Sequence, residues 1–102
     1  AILLPTVMRW NAPAALDKYV DIAKAVEVYK DGMTKEEAAE AACDEIKRMN
    51  QLVGIPEHLS ELGLKESDIP ALADQAIADV CTPGNPRPIT RDDIVNLYKA
   101  IL

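Results

Sequence analysis

The sequence lacks phenylalanine, has one histidine and two cysteines, and contains no long run of apolar residues. A single histidine, His58, excludes a three-histidine metal site and a paired-histidine zinc motif. Cys43 and Cys81 are too few for the disulfide framework of a small secreted domain, so they predict a reduced pair in a cytoplasmic protein. The longest apolar run, residues 1–5, is far short of the ~18 residues that suggest a membrane span.

Positive charge is also scarce. The chain has 11 Lys and Arg against 17 Asp and Glu, which gives a net charge of −6. Nucleic acids and anionic membranes are bound by clustered basic residues, and the Lys and Arg of this chain are scattered. We therefore expect neither as a partner.

What is present indicates helices. The chain has 102 residues, of which 49% are hydrophobic, as expected for one globular domain. Alanine is abundant, and apolar residues recur at spacings of three and four rather than alternating with polar ones. The sequence therefore predicts an all-α fold, a multi-helix bundle of about five helices in a single domain over residues 1–102.

The first two complete helices are predicted from their apolar faces and caps. Pro13 is placed in the opening turn of the first, whose buried face is Leu16, Tyr19, Val20, Ala23 and Val26. Thr34 and Glu37 form a capping box that begins the second helix, over about residues 34–53. Gly54 is predicted to end it in a left-handed conformation. Its predicted buried stripe is Ala39, Ala42, Cys43, Ile46, Met49 and Val53.

The second half of the chain predicts two further helices and a loop. A short helical turn is expected over about residues 57–62, and a helix follows from Ser67 or Asp68 with Pro70 in its first turn. The predicted lining of this helix is Leu72, Ala73, Ala76, Ile77 and Val80. Three prolines and a glycine predict a loop over residues 81–88. Thr90 and Asp93 then cap a last helix with Leu97, Tyr98 and Ile101 on its apolar face.

The N-terminal segment is apolar and has no capping residue before it. Its side chains begin as though a helix were already under way, which indicates a cut in a larger protein, with a processed or tagged start as the alternative. Ile2, Leu3 and Val7 would then be exposed, and self-association through them is possible.

Six segments, in order along the chain, resemble the last third of the iron-containing alcohol dehydrogenases, especially the branch of lactaldehyde reductases and propanediol dehydrogenases. The segments are AILLPTVMRWN (1–11), KYVDIA (18–23), GMTKEEA (32–38), VGIPEHL (53–59), DIPALA (68–73) and DVCTPGNPR (79–87). The resemblance covers essentially the whole chain.

The resemblance implies a two-domain parent enzyme. Such enzymes have an N-terminal α/β nucleotide-binding domain and a helical C-terminal domain, with iron(II) in the cleft between them and NAD(P) as the hydride carrier. One Asp and three His hold the iron, and the last of these lies just before the segment where this chain starts. The chain alone is therefore expected to bind neither iron nor NAD(P) and to be inactive. Its partners would be the missing N-terminal domain and a small alcohol or aldehyde.

Within the chain, the resemblance points to residues 81–87 as the mouth of the substrate cleft. Cys81, Asn85 and Pro86 are the candidate lining residues. The alternative is that Cys81 ends a helix as a small buried hydrophobe while Asn85 and Pro86 only shape a turn. No catalytic, cofactor-binding or metal-binding residue is predicted.

Other features have simpler interpretations. His58 is interpreted as a surface or capping residue rather than a proton relay, and Trp10 and Tyr19 as core packing between the first two helices. The acidic cluster is interpreted as a solvated first helical turn rather than a metal site; its members are Glu36, Glu37 and Glu40. The alternative function is a free-standing acidic helical interaction module. A carrier protein that uses Ser67 is disfavoured because the Asp-Ser-Leu context is absent.

Overall fold

Five α-helices and four short 3₁₀ turns make up the fold, without any strand. The structure is a computed structural model that describes all 102 residues. The helices are α1 (Leu4–Asn11), α2 (Leu16–Ala25), α3 (Lys35–Leu52), α4 (Ile69–Ala78) and α5 (Arg91–Ala100), and the 3₁₀ turns are Ala12–Ala14, Leu59–Leu62, Glu66–Asp68 and Thr82–Gly84. The predicted all-α class and number of helices are confirmed. None of the helices is both long and apolar enough to cross a bilayer.

Helix α3 begins and ends where its sequence predicts. The Glu37 N–H donates to Thr34 Oγ1 at 3.1 Å, and the Thr34 N–H donates to the Glu37 carboxylate at 3.3 Å. At the other end Gly54 has a φ of +78°, which suits glycine because it lacks a Cβ. The Gly54 and Ile55 N–H groups return to the carbonyls of Gln51 and Asn50. These bonds form a Schellman cap, so both ends are fixed by local chemistry.

Helices α1, α2 and α3 pack together through small residues. Ala23, Ala38 and Ala42 are fully buried between α2 and α3, where the absence of longer side chains lets the two helices approach closely. Met8 of α1 and Tyr19 of α2 meet α3 in a second buried cluster, which also contains Ala39 and Cys43. The predicted core position of Tyr19 is confirmed.

Helices α4 and α5 form a second group, joined to the first through α1. Ile69 of α4 and Ile94 of α5 are buried. Outside the helices, the Leu59 and Ser60 N–H groups donate to the carbonyls of Ile101 and Leu102 at 2.8 and 3.1 Å. The segment between α3 and α4 is therefore tied to the two residues that follow α5.

The start of α2, the first complete helix of the prediction, differs from the one predicted. Pro13 does not open α2, because it lies in the 3₁₀ turn Ala12–Ala14 that follows α1. The backbone of Ala15 (φ −145°, ψ 35°) leaves the helical region and separates this turn from α2, which begins at Leu16. The predicted α2 face also extended one residue too far, since α2 ends at Ala25 and Val26 is its half-buried cap.

Four residues predicted to lie on buried helix faces are exposed instead, and one of them is Ile77 of α4, at 37%. Met49 and Val53 continue the apolar stripe of α3, but their exposed fractions are 38% and 74%. Val80 lies beyond the end of α4 and is 91% exposed. The apolar stripe of α3 thus continues beyond the part of the helix that is buried. Periodicity alone does not establish burial.

Candidate functional site

An open apolar groove of about 470 Å³ lies between the first turns of α1, the segment that follows α4, and α5. The three candidate residues Cys81, Asn85 and Pro86 all contribute to it. Twelve residues line the groove: Leu3, Val7, Ala76, Cys81, Thr82, Gly84, Asn85, Pro86, Ile89, Ile94, Leu97 and Tyr98. The structure thus brings the candidate residues together on one wall. That this groove receives substrate stays a prediction.

Cys81 is exposed and lies outside any helix, because α4 already ends at Ala78. The alternative interpretation of Cys81 as a buried helix-terminal hydrophobe is therefore wrong. The Cys81 N–H donates to Asp79 Oδ1 at 2.8 Å, and the hydroxyl of Thr82 donates to the carbonyl of Ala76 at 2.5 Å. These local bonds turn the chain away from α4 and place the Cys81 side chain at the groove.

Asn85 is held by a reciprocal pair of amide hydrogen bonds with Asn11 of α1. Asn11 Nδ2 donates to Asn85 Oδ1 at 2.9 Å, and Asn85 Nδ2 donates to Asn11 Oδ1 at 2.8 Å. Asn85 Nδ2 also donates to the carbonyl of Arg87 at 2.6 Å. Asn11 is buried, with 6% of its surface exposed, and it is the one buried polar residue. Sequence reasoning missed Asn11, although the segment carrying the resemblance ends on it.

Arg87 provides a second link between this segment and α1. Its guanidinium lies over the Trp10 ring, 4.0 Å from the ring centroid, and its Nη1 donates to the Trp10 carbonyl at 2.9 Å. A guanidinium stacked on an indole gains both cation–π attraction and dispersion. Trp10 is half-buried and faces Arg87, so its interpretation as core packing between the first two helices describes it incompletely.

The predicted exposure of the N-terminal apolar residues is only partly correct. Ile2, Leu3 and Val7 are half-buried, and Leu3 and Val7 line the groove. The more exposed residue of this segment is Leu4, at 48%. The surface expected to support self-association is therefore largely a wall of the groove.

His58 lies elsewhere, in an exposed turn beside a smaller cavity of about 170 Å³. Its backbone N–H donates to Glu61 Oε2 at 2.9 Å, and the residue directly precedes the 3₁₀ turn Leu59–Leu62. It is thus a surface residue at the start of a turn, as predicted. No hydrogen-bond partner of the imidazole is found.

The side chains of this chain do not fit an iron site or a nucleotide phosphate site. No group of three or more His, Cys, Asp and Glu side chains comes together in a way that could hold a metal ion. Two carboxylates of α3, those of Glu40 and Asp44, form ion pairs with Arg9. The four glycines are spread along the chain and form no glycine-rich loop.

The two thiols are expected to differ sharply in reactivity. Burial raises the pKa of the Cys43 thiol, while Cys81 is exposed at the groove. Since the thiolate is the reactive form, an alkylating reagent at neutral pH should label Cys81 quickly and Cys43 only after denaturation. Mass spectrometry of native and unfolded protein measures this, with Cys81→Ala as the control. Rapid native labelling of Cys43 would contradict its burial.

Comparison with known proteins gives one consistent result. The family model for the C-terminal part of Fe-containing alcohol dehydrogenases matches residues 1–102. Lactaldehyde reductase from Escherichia coli (strain K12) is 53% identical over 98 residues, which cover 96% of this chain and 26% of that protein. The 1,3-propanediol dehydrogenase from Citrobacter freundii is 38% identical over 99 residues, which cover 97% of this chain and 26% of that protein.

A solved structure agrees with these sequence matches. A crystal structure of 1,3-propanediol oxidoreductase superimposes with a TM-score of 0.95 at 36% identity, covering 99% of this chain and 26% of that one. The chain thus spans about a quarter of the length of the relatives that it matches.

Proposed function

The chain belongs to the Fe-containing alcohol dehydrogenase family, and we propose that it is the C-terminal part of an iron-dependent, NAD(P)-linked alcohol dehydrogenase or aldehyde reductase. In this proposal the groove beside Cys81 is one wall of the catalytic cleft. The observation that supports it most directly is the groove itself, where Cys81, Asn85 and Pro86 meet the apolar residues of α1 and α5.

The wall is suited to hold the hydrocarbon part of a small alcohol and to exclude water. Eight of its twelve residues are hydrophobic. Two of its polar groups are already engaged, since Asn85 bonds Asn11 and the Thr82 hydroxyl bonds the Ala76 carbonyl. A wall of this kind distinguishes substrates by size and shape, and such selectivity is modest, about 10–200-fold per methylene.

The reactive groups belong to the rest of the proposed enzyme. Iron held there would supply a Lewis acid for the substrate oxygen, and NAD(P) would supply the hydride carrier. The side chains of this chain form no cluster of three or more metal-ligating groups, so they do not fit the iron. Chemistry of this type requires no thiolate nucleophile, so Cys81 acts as a contact surface. The partner of this chain is then the N-terminal nucleotide-binding domain, and the substrate is a small alcohol or aldehyde.

The proposal is tested by comparing two polypeptides, the 102-residue chain and the same chain extended upstream to the length of its relatives. Each is measured for bound iron and for NAD- and NADP-linked oxidation of short alcohols. We expect both properties only in the extended polypeptide. Turnover by the 102-residue chain would contradict the assignment of iron and cofactor to the upstream part. An iron-loaded extended polypeptide without nicotinamide-linked activity would contradict the proposed reaction.

A further inference from the structure

We propose that Asn11 is a positioning residue that sets the shape of the groove through Asn85. The inference rests on the proposed function in one respect, namely that the groove contacts substrate. Its structural part, that Asn11 holds the segment 81–88 in place, stands on the geometry of this chain alone.

The Asn11–Asn85 pair joins two distant parts of the sequence. The residues are 74 positions apart, and each amide both donates to and accepts from the other. Asn11 is buried, so an Asn85 oriented differently would leave the Asn11 amide without either partner and without water to replace it. The pair therefore favours one position of Asn85 relative to α1.

Asn85 also bonds the Arg87 carbonyl, so its position determines that of the groove wall around it. Both amide hydrogens of Asn85 are engaged, one by Asn11 and one by the Arg87 carbonyl. Gly84 and Pro86, on either side of Asn85, line the groove. A displacement of Asn85 thus displaces its two neighbours and changes the width of the groove. With both amide hydrogens engaged in this way, Asn85 shapes the wall and has no amide hydrogen left to donate to substrate.

Helix α1 contacts the groove residues at both of its ends and so fixes their relative positions. Val7 of α1 and Leu3, the residue just before α1, line the groove, and the last turn of α1 holds the segment 81–88 through Trp10 and Asn11. Since α1 is a single rigid helix of eight residues, these contacts fix the separation of these two parts of the groove. Asn11 provides the buried, directional part of this connection.

The kinetic test uses the full-length enzyme that contains this chain. Asn11→Asp keeps the shape of the side chain, but the carboxylate cannot donate to Asn85 Oδ1. We expect KM for the alcohol to rise about tenfold, with kcat and KM for the cofactor within about twofold, because the variant loses binding at the groove and not the chemical step. Asn96→Asp makes the same change on the exposed side of α5 and should leave all three values unchanged.

A second measurement does not depend on activity. Hydrogen exchange of the backbone of residues 81–88 should accelerate about tenfold or more in Asn11→Ala, with the amides of α3 unaffected. In a background of Asn85→Ala, the further change Asn11→Ala should have little effect, because the partner is already gone.

The outcomes separate the two proposals. If the wild-type enzyme oxidises no alcohol, the proposed function fails, and hydrogen exchange still decides the role of Asn11. Unchanged exchange in residues 81–88 would overturn the positioning role. Faster exchange with unchanged KM for the alcohol would show that Asn11 holds this segment without shaping a substrate site. An equal rise of both KM values together with a fall in kcat would indicate general loss of structure, and it would overturn the inference as well.

Discussion

Replacing Ile69 with alanine is expected to lower the free energy of unfolding by about 2–5 kcal/mol. Ile69 has 1% of its surface exposed, and it is one of the two largest side chains that are fully buried. It stands in the first turn of α4, the helix that packs on α5. Its truncation removes apolar contacts and leaves a cavity that the neighbouring helices fill only in part. Urea unfolding followed by circular dichroism measures the loss.

A matched control lies on the same helix. Ile77 is 37% exposed, so Ile77→Ala makes the same chemical change where part of the side chain already contacts water. Its cost is expected to be about 1 kcal/mol or less. Equal losses for the two variants would contradict the burial of Ile69.

Replacing Cys81 with phenylalanine in the full-length enzyme is expected to lower kcat/KM for the alcohol. The larger ring would enter the groove, and steric overlap in a packed site costs about 1–3 kcal/mol, which corresponds to about fivefold to 150-fold in rate. Because Cys81 is exposed, the substitution should leave the thermal midpoint of unfolding nearly unchanged. Steady-state kinetics with alcohols of increasing length measures the effect, which should be greatest for the longest.

Two controls accompany this variant. Cys81→Ala removes the thiol without filling the groove, and it should retain most of the activity because the proposed reaction gives the thiol no chemical role. KM for the cofactor should be unchanged in both variants. A large loss of activity in Cys81→Ala would contradict the role of Cys81 as a contact surface. Full activity of Cys81→Phe would show that the substrate does not occupy the groove.

Local chemistry explains which parts of the fold are predictable from the sequence. The cap of α3 at Thr34, its end at Gly54 and the cap of α5 at Thr90 are each determined by residues within a few positions of one another. The buried extent of a helix is different, because it depends on where its neighbours end. Met49 and Val53 have the right period for burial, yet this chain covers Met49 only in part and leaves most of Val53 exposed.

The candidate site likewise has features that the sequence predicts and features that depend on tertiary contacts. The prolines around Asn85 predict a loop, and resemblance to the family supplies Cys81, Asn85 and Pro86 as candidates. The partner of Asn85 could not be predicted, because Asn11 is 74 residues away and asparagine is common at helix ends for unrelated reasons. The link between Arg87 and Trp10 has the same character, since it depends on a tertiary contact that no local pattern encodes.

The stacking of Arg87 on Trp10 gives the groove its own optical reporter. Trp10 is the only tryptophan of the 102 residues, and indole emission responds to a nearby cation and to contact with water. Release of the segment 81–88 from α1 would take the guanidinium away from the ring and expose it. The fluorescence of this chain therefore reports on the closure of one wall of the groove, without any label being added.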